Sequence, residues 1–306
     1  MPGALGYGWH ESNQGEYLAQ YFLSALGVSA PVLRQEDVGV DFFCSLAKNT
    51  NKKLTFHSPY MVQHGAVGTK EFVYGGYKKD KNGVDKWLGD GIKWLFSQEL
   101  PLFTCITDRE AARFRLYSTS AMWLVRYQFG NMTQLELCPD ENHDPLRESQ
   151  RDKIGKDGGH GDGFSYRVPL GNPIVDLTIF DLQKDVRKRA TEALAIAINV
   201  EQTNITFRRL GIHVASWLFN DVKPNEPESL ATRGGSVFWN GEPGRNVPHQ
   251  IDSLKNIAIT LALNLHQQGD ADKLAHLAPV FRLFDKRTIP HWIMEKLPRI
   301  VMDNIV

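Results

Sequence analysis

The sequence predicts an α/β first half followed by a mostly α-helical second half. Three observations carry that expectation. Runs rich in β-branched and aromatic residues recur between short polar boundaries from about 40 to 139. Apolar residues at helical spacing bracket them, at 13–27 and in the second half of 83–99. From about 181 onward the spacing is mainly helical. The expected division is residues 1–140, a linker or mobile loop over 141–170, and a helical domain over 171–306.

Each element has a local reason. In "NQGEYLAQYFLSALG" (13–27), Leu18, Phe22 and Leu26 recur every four residues and Leu23 widens the stripe. Asn13 suits a cap and Gly27 a stop. Glu16 then falls in the first turn, where a carboxylate suits the helix dipole. Strands are expected near 40–47 and 54–65, joined by the polar turn "KNTNKK". Further strands are "LPLFTCITD" (100–108), "RFRLYSTS" (113–120) and "MTQLELCP" (132–139). "STS" and "SAMW" are expected to cap a helix after the second of these. The stretch 140–165 holds few apolar residues and five glycines, hence the linker. Helices are then expected at 181–200, about 205–219, 250–268, 271–284 and 289–303.

Composition excludes several classes. Lys+Arg and Asp+Glu balance at 35 each, which argues against a uniformly basic nucleic-acid binder. Cys44, Cys105 and Cys138 form no CxxC pair or zinc spacing. Sparse cysteines suit a reducing compartment, so a cytoplasmic location is expected. The first residues lack a basic segment followed by an apolar one, and "ALAIAI" (193–198) is far too short to span a membrane. There is no G-x-G-x-x-G, Walker loop, nucleophile elbow or HExxH.

The strongest chemical constellation joins two expected neighbouring strands. Asp41, in "EDVGVDFFCSL", can bind a divalent cation. Gln63, in "PYMVQHGAVGTKEF", can offer an amide oxygen from the next strand. Magnesium takes hard oxygen ligands and keeps several waters, so two or three protein oxygens suffice. Alternation turns Gln63 toward such a site and His64 away from it, as a satisfied core histidine.

Several blocks, in order over roughly residues 14 to 140, carry a resemblance: "GEYLAQYFLSALG", "PVLRQEDVGVDFFCSL", "SPYMVQ", "WLFSQELPLFTCITD" and "RFRLYSTSAMW". Together they resemble a family of uncharacterised bacterial domains grouped with the PD-(D/E)XK nuclease superfamily and often linked to anti-phage defence. The resemblance implies a restriction-endonuclease-like mixed sheet flanked by helices. It also implies Mg²⁺- or Mn²⁺-dependent hydrolysis of nucleic acid, with DNA ahead of RNA. Glu16 matches the family's acidic residue in the first helix, Asp41 its metal-binding aspartate, and Gln63 the polar residue of a "VQxKS" segment. Where the pattern continues with lysine and serine, this sequence has Gly65 and Ala66. Lys70, after "GAVGT", is the candidate replacement lysine. The alternative is a catalytically inactive nuclease-like module that binds nucleic acid or assembles a complex.

Other groups weigh less. Glu36 and Asp37 suit capping or turn roles. His160 and Asp162 lie in "GGHGDGF", too small a set for a metal site. "DVRKRA" (185–190) and "LRESQRDKIGK" (146–156) are basic stretches, more often solvated faces than phosphate contacts. Trp239 sits in a loop that could dock a partner or anchor itself. The helical half is expected to meet a partner protein, and a two-fold homodimer is the default assembly. No membrane partner is expected.

Overall fold

A long strand organises the first sheet. The structure is a computed structural model that describes residues 7–32, 39–50, 53–79, 85–87, 90–128, 132–142, 151–154, 163–209, 214–218, 220–238 and 250–306. Helix α1 (Tyr7–Leu26) leads into β1 (Gly27–Pro31), then β2 (Phe42–Thr50) and β3 (Lys53–Ala66), each antiparallel to the last. After β4 (Phe72–Gly75), β5 (Tyr77–Lys79), β6 (Asp85–Trp87) and α2 (Asp90–Ser97), the chain returns as β7 (Leu102–Asp108). It lies parallel to β3, with Gln63 opposite Thr104 and His64 opposite Cys105. A parallel partner needs a crossover of this length, because a tight turn can only reverse the chain. β8 (Arg113–Ser118) is antiparallel to β7. After α3 (Ala121–Gln128) come β9 (Met132–Pro139), β10 (Arg151–Ile154), β11 (Gly163–Gly171) and β12 (Val175–Thr178). The first sheet runs β1-β2-β3-β7-β8-β12, and a second runs β10-β11-β9-β4.

The period-two alternation of β3 decides what covers each face. Tyr60 and Val62 join Phe42, Leu46, Phe103 and Phe114 beneath α1 and α4 (Lys184–Arg209). Phe22 stacks on Phe114 with centroids 5.4 Å apart. Ala190, Ala193 and Ala197 give α4 a small-residue face in the same core. Met61 belongs to the opposite core, with Leu95, Leu102, Trp123, Leu135 and Tyr166. Burying an aromatic or aliphatic side chain of this kind stabilises by about 1.5–3 kcal/mol.

The remaining chain forms β13 (Val214–Leu218), α5 (Pro227–Arg233), β14 (Gly234–Phe238), α6 (Gln250–Gln267) and α7 (Ala271–Leu277). Short helices α8 (His291–Met294) and α9 (Arg299–Met302) follow. A third core gathers Phe207 of α4 with Ala258, Leu277, Phe281, Phe284 and Val301.

The mixed α/β class holds, but the expected division does not follow the packing. β12 is the edge of the first sheet, and Ile205, Ala215 and Trp217 share a core with Met61. The stretch expected to be a linker contains β10 and β11, and Tyr166, Val168 and Leu170 are buried. Its glycines mask a short apolar alternation that finds a parallel partner in β9. The second half is not helical throughout. Residues expected as a helix near 205–219 include the end of α4 and the strand β13, which pairs with β14. α1 is longer than expected, so Asn13 and Glu16 lie inside it rather than at its start. Gly27 opens β1 instead of stopping the helix. A Cβ there would lie 2.2 Å from the Ser45 carbonyl oxygen, so glycine permits the close β1–β2 approach.

Candidate functional site

The C-terminal ends of β3 and β7 meet the middle of α1 around a cavity of about 910 Å³. Its walls include Glu16, Asp41, His64, Gly65, Thr107 and Arg109. Gly15 sets how closely the helix approaches. A Cβ there would stand 3.0 Å from the His64 ring and 3.3 Å from Thr107 Oγ1. With hydrogen in that place, α1 settles onto the strand ends and brings Glu16 to the cavity wall.

Asp41 is tied to β3 through backbone and side chain. Its N–H donates to the Val62 carbonyl at 3.0 Å, and its own carbonyl accepts from Val32 N–H at 2.8 Å. Oδ2 accepts the His64 backbone N–H at 2.7 Å. The carboxylate is therefore oriented before any ligand arrives. Its charge also reaches the hydroxyl of Tyr74, which burial first, and Asp41 second, make harder to ionise.

His64 lies within this cavity wall, contrary to its expected place in the opposite layer. Nε2 is 2.7 Å from Thr107 Oγ1, and Thr107 donates weakly to the Gly15 carbonyl at 3.4 Å. Burial pulls the imidazole down to a pKa of about 4, while Glu16 pulls it back upward. The ring is neutral at neutral pH. The expectation of a satisfied histidine holds, but on the face that α1 covers. The reason is the strand period: residues 60, 62 and 64 share one face, and α1 covers it.

Gln63 is placed differently from Asp41. Its Oε1 accepts the Tyr74 hydroxyl, and it is not among the residues lining the cavity. Lys70 is exposed in the segment between β3 and β4 and does not line the cavity either, although its neighbour Thr69 does. Gly65 has a packing reason of its own. A Cβ there would meet Thr69 Oγ1 at 2.8 Å and the Phe72 ring at 2.9 Å. Glu36, Asp37, His160, Asp162 and Trp239 lie outside the described residues. The basic stretch 185–190 lies on α4, where Lys188 and Arg189 face Glu192 and Glu228 at 3.8 and 3.1 Å.

Thr107 and Arg109 belong to the site although neither carries a signal in the sequence. Arg109 Nη1 donates to Gln14 Oε1 at 2.5 Å and fixes one wall against α1. The parallel register of β3 and β7 pairs His64 with Cys105 and Ala66 with Thr107, which puts Thr107 within reach of the His64 ring, and strand content alone does not reveal register.

Chemically, the cavity offers two carboxylates, a neutral imidazole and a guanidinium. Carboxylate oxygens are the hard ligand type that Mg²⁺ or Mn²⁺ takes. Among the described residues there is no cluster of three or more His, Cys, Asp or Glu side chains arranged to hold a metal. Among the described residues no helix is long and apolar enough to cross a membrane. No family model matches the chain, and no curated protein or solved structure does.

Proposed function

We propose that this chain is a metal-dependent phosphodiesterase acting on nucleic acid, DNA ahead of RNA. The observation that carries the reading is the convergence of Glu16 and Asp41 on one cavity beside Arg109. The antiparallel β1–β2–β3 run, the α2 crossover and the parallel β3–β7 pair, flanked by helices, support a restriction-endonuclease-like arrangement. A role in anti-phage defence rests on the sequence resemblance.

Asp41 and Glu16 would hold Mg²⁺ or Mn²⁺. When bound, the cation supplies a more acidic water and neutralises phosphate charge. The His64 N–H keeps the Asp41 carboxylate oriented. Arg109 offers N–H donors suited to a phosphodiester oxygen. Gln63 accepts the Tyr74 hydroxyl and does not line the cavity, so it is not a metal ligand in this reading.

A second reading has its own observation. No lysine lines the cavity among the described residues, and Gly65 is packed against Thr69 and Phe72. On this reading the module binds nucleic acid without cutting it.

Cleavage of supercoiled plasmid and of single-stranded RNA, with Mg²⁺, Mn²⁺ or EDTA, tests the first reading. Metal-dependent cutting is expected, with losses on the order of 100-fold or more in Asp41→Ala and Glu16→Ala, since each removes a charged ligand. Cutting that survives both substitutions, or no cutting by the parent chain, rules the catalytic reading out. Retained binding in the latter case supports the second.

A further inference from the structure

Tyr17 of α1 lines the cavity together with Glu16 and Gln20 of the same helix. Its side chain is 69% exposed. Among the described residues no ring contact or hydrogen bond holds it. Tyr21, one turn further along α1, differs: it does not line the cavity, and its ring stands edge to face with Phe22 at 5.9 Å between centroids. Phe42, the other aromatic residue of the cavity wall, is 1% exposed and belongs to the core beneath α1. Tyr17 is therefore the wall aromatic whose ring is open to a ligand.

The seat of α1 sets where that ring leans. Helical side chains tilt toward the helix N-terminus. The residues just N-terminal to Tyr17 are held at the strand ends, Gln14 by Arg109 and the Gly15 carbonyl by Thr107. The Tyr17 side chain thus leans toward the end of the sheet that carries Asp41 and Arg109.

We infer that Tyr17 stacks on an unpaired base of single-stranded DNA held in the cavity, so that an unpaired strand rather than a duplex is the preferred substrate. This rests on the reading that the cavity receives nucleic acid, and adds which form it takes. A base inside a duplex has both faces covered by its neighbours, so a ring on a cavity wall reaches only a base that has left the stack. The cavity, at about 910 Å³, falls in the small-ligand class of roughly 300–1,000 Å³, which suits a few splayed nucleotides. Stacking also supplies what charge does not. With 35 basic and 35 acidic residues, the chain has no net field to draw a strand in. Arg109 meets the sugar–phosphate chain, and the Tyr17 ring meets the base attached to it. A purely apolar ligand would leave the carboxylates and the guanidinium unanswered.

The test is fluorescence anisotropy on the full chain with a labelled mixed-sequence DNA dodecamer, as single strand and as duplex. Ca²⁺, which shares the preference for oxygen ligands, replaces Mg²⁺. The single strand is expected to bind at least tenfold more tightly than the duplex. Tyr17→Ala should weaken single-strand binding on the order of 10-fold, the value of one stacked base, and leave duplex binding as it was. Tyr17→Phe keeps the ring and should bind like the parent. Phe56→Ala, which removes another exposed ring away from the cavity, should also bind like the parent. Duplex bound as tightly as single strand overturns the inference, as does single-strand binding untouched in Tyr17→Ala. So does a loss in Tyr17→Phe equal to that in Tyr17→Ala, which assigns the contact to the hydroxyl. Absence of saturable binding of either form overturns it as well. Failure of the catalytic reading looks different: the parent then cuts nothing with Mg²⁺ or Mn²⁺, yet still prefers the single strand in a manner that depends on Tyr17.

Discussion

Two carboxylate regions at different places around β7 use similar parts to opposite ends. Near its start, Glu201 of α4 is 1% exposed. It accepts Trp123 Nε1–H at 3.0 Å, the Thr119 hydroxyl at 3.1 Å and the Ser118 hydroxyl at 3.4 Å. Near the end of β7, Asp41 and Glu16 face a cavity of about 910 Å³, and Asp41 Oδ2 accepts a backbone N–H. The first region occupies both carboxylate oxygens with donors from the β8–α3 turn and α3, so it is a fastener between α4 and that segment. The second keeps carboxylates facing open volume, which is what a ligand needs. What separates a structural carboxylate from a candidate functional one is therefore the space in front of it, not its residue type or its neighbours' polarity.

The sharpest way to break this contrast is to remove the fastener. Glu201→Ala leaves an indole N–H unsatisfied beside a void, while the Thr119 and Ser118 hydroxyls keep the Leu102 carbonyl and the Ser120 hydroxyl as acceptors. One buried unsatisfied donor costs about 1–3 kcal/mol and the void adds to it, so a loss on the order of 2–4 kcal/mol is expected. A urea titration at neutral pH reads it directly. Asp41→Ala, at a surface that water already reaches, should cost about 1 kcal/mol or less. Equal losses in the two variants would show that the carboxylates are not of different kinds.

The two regions should also respond to pH with opposite sign. Burial raises Glu201 from its ordinary 4.5 to about 7, against the hydrogen bonds from Trp123, Thr119, Ser118 and Asn204. Its contribution is greatest below the unfolded value and is lost as pH rises through about 7, amounting to about 3 kcal/mol. Burial lowers His64 from 6.5 to about 4. Its contribution is present above the unfolded value and is lost as pH falls through about 4, with a smaller magnitude because the ring borders the cavity. In the parent, metal-free chain the slopes oppose each other between about 4.5 and 6.5. Glu201→Gln should unmask acid sensitivity, and His64→Gln should unmask alkaline sensitivity. Stability curves parallel to the parent's from about pH 4 to 8 in both variants would remove the basis of the comparison.

Legibility in the sequence follows the same divide. Strands β7, β8 and β9 emerge from local β-branched and aromatic runs with little error, because each sits between polar boundaries. The length of α1 and the strand character of 163–171 do not, because a glycine-rich neighbourhood hides pairing supplied from elsewhere in the chain. At the cavity, Glu16 and Asp41 are legible as carboxylates at element positions suited to a site. Alternation sends His64 to the far face only if Gln63 shares the face of Asp41. The carboxylate instead reaches back from the entrance of β2 to the His64 backbone N–H, a contact that side-chain alternation does not encode. Glu201 gives no sign at all: its donors lie about 80 residues earlier in the chain.

The last test concerns Gly65, where the pattern that the sequence resembles has lysine. Gly65 lines the cavity, yet its Cβ direction meets Thr69 and the buried Phe72 ring rather than open space. Contacts of 2.8 and 2.9 Å are shorter than side chains tolerate, so one of the two must move. Overpacking of this kind costs about 1–3 kcal/mol. Gly65→Ala and Gly65→Lys should therefore lose similar stability in thermal or urea melts, because the first methylene makes the clash. A lysine installed here begins its path against Phe72, so Gly65→Lys should not increase plasmid cutting above the parent. Should Gly65→Lys melt like the parent and cut faster, the packing would be adaptable and the missing lysine would be the site's only defect. Loss of stability in both variants with no gain in cutting would instead mean that this wall of the cavity serves packing, just as the Glu201 fastener does, and that only the carboxylate side of it is open to chemistry.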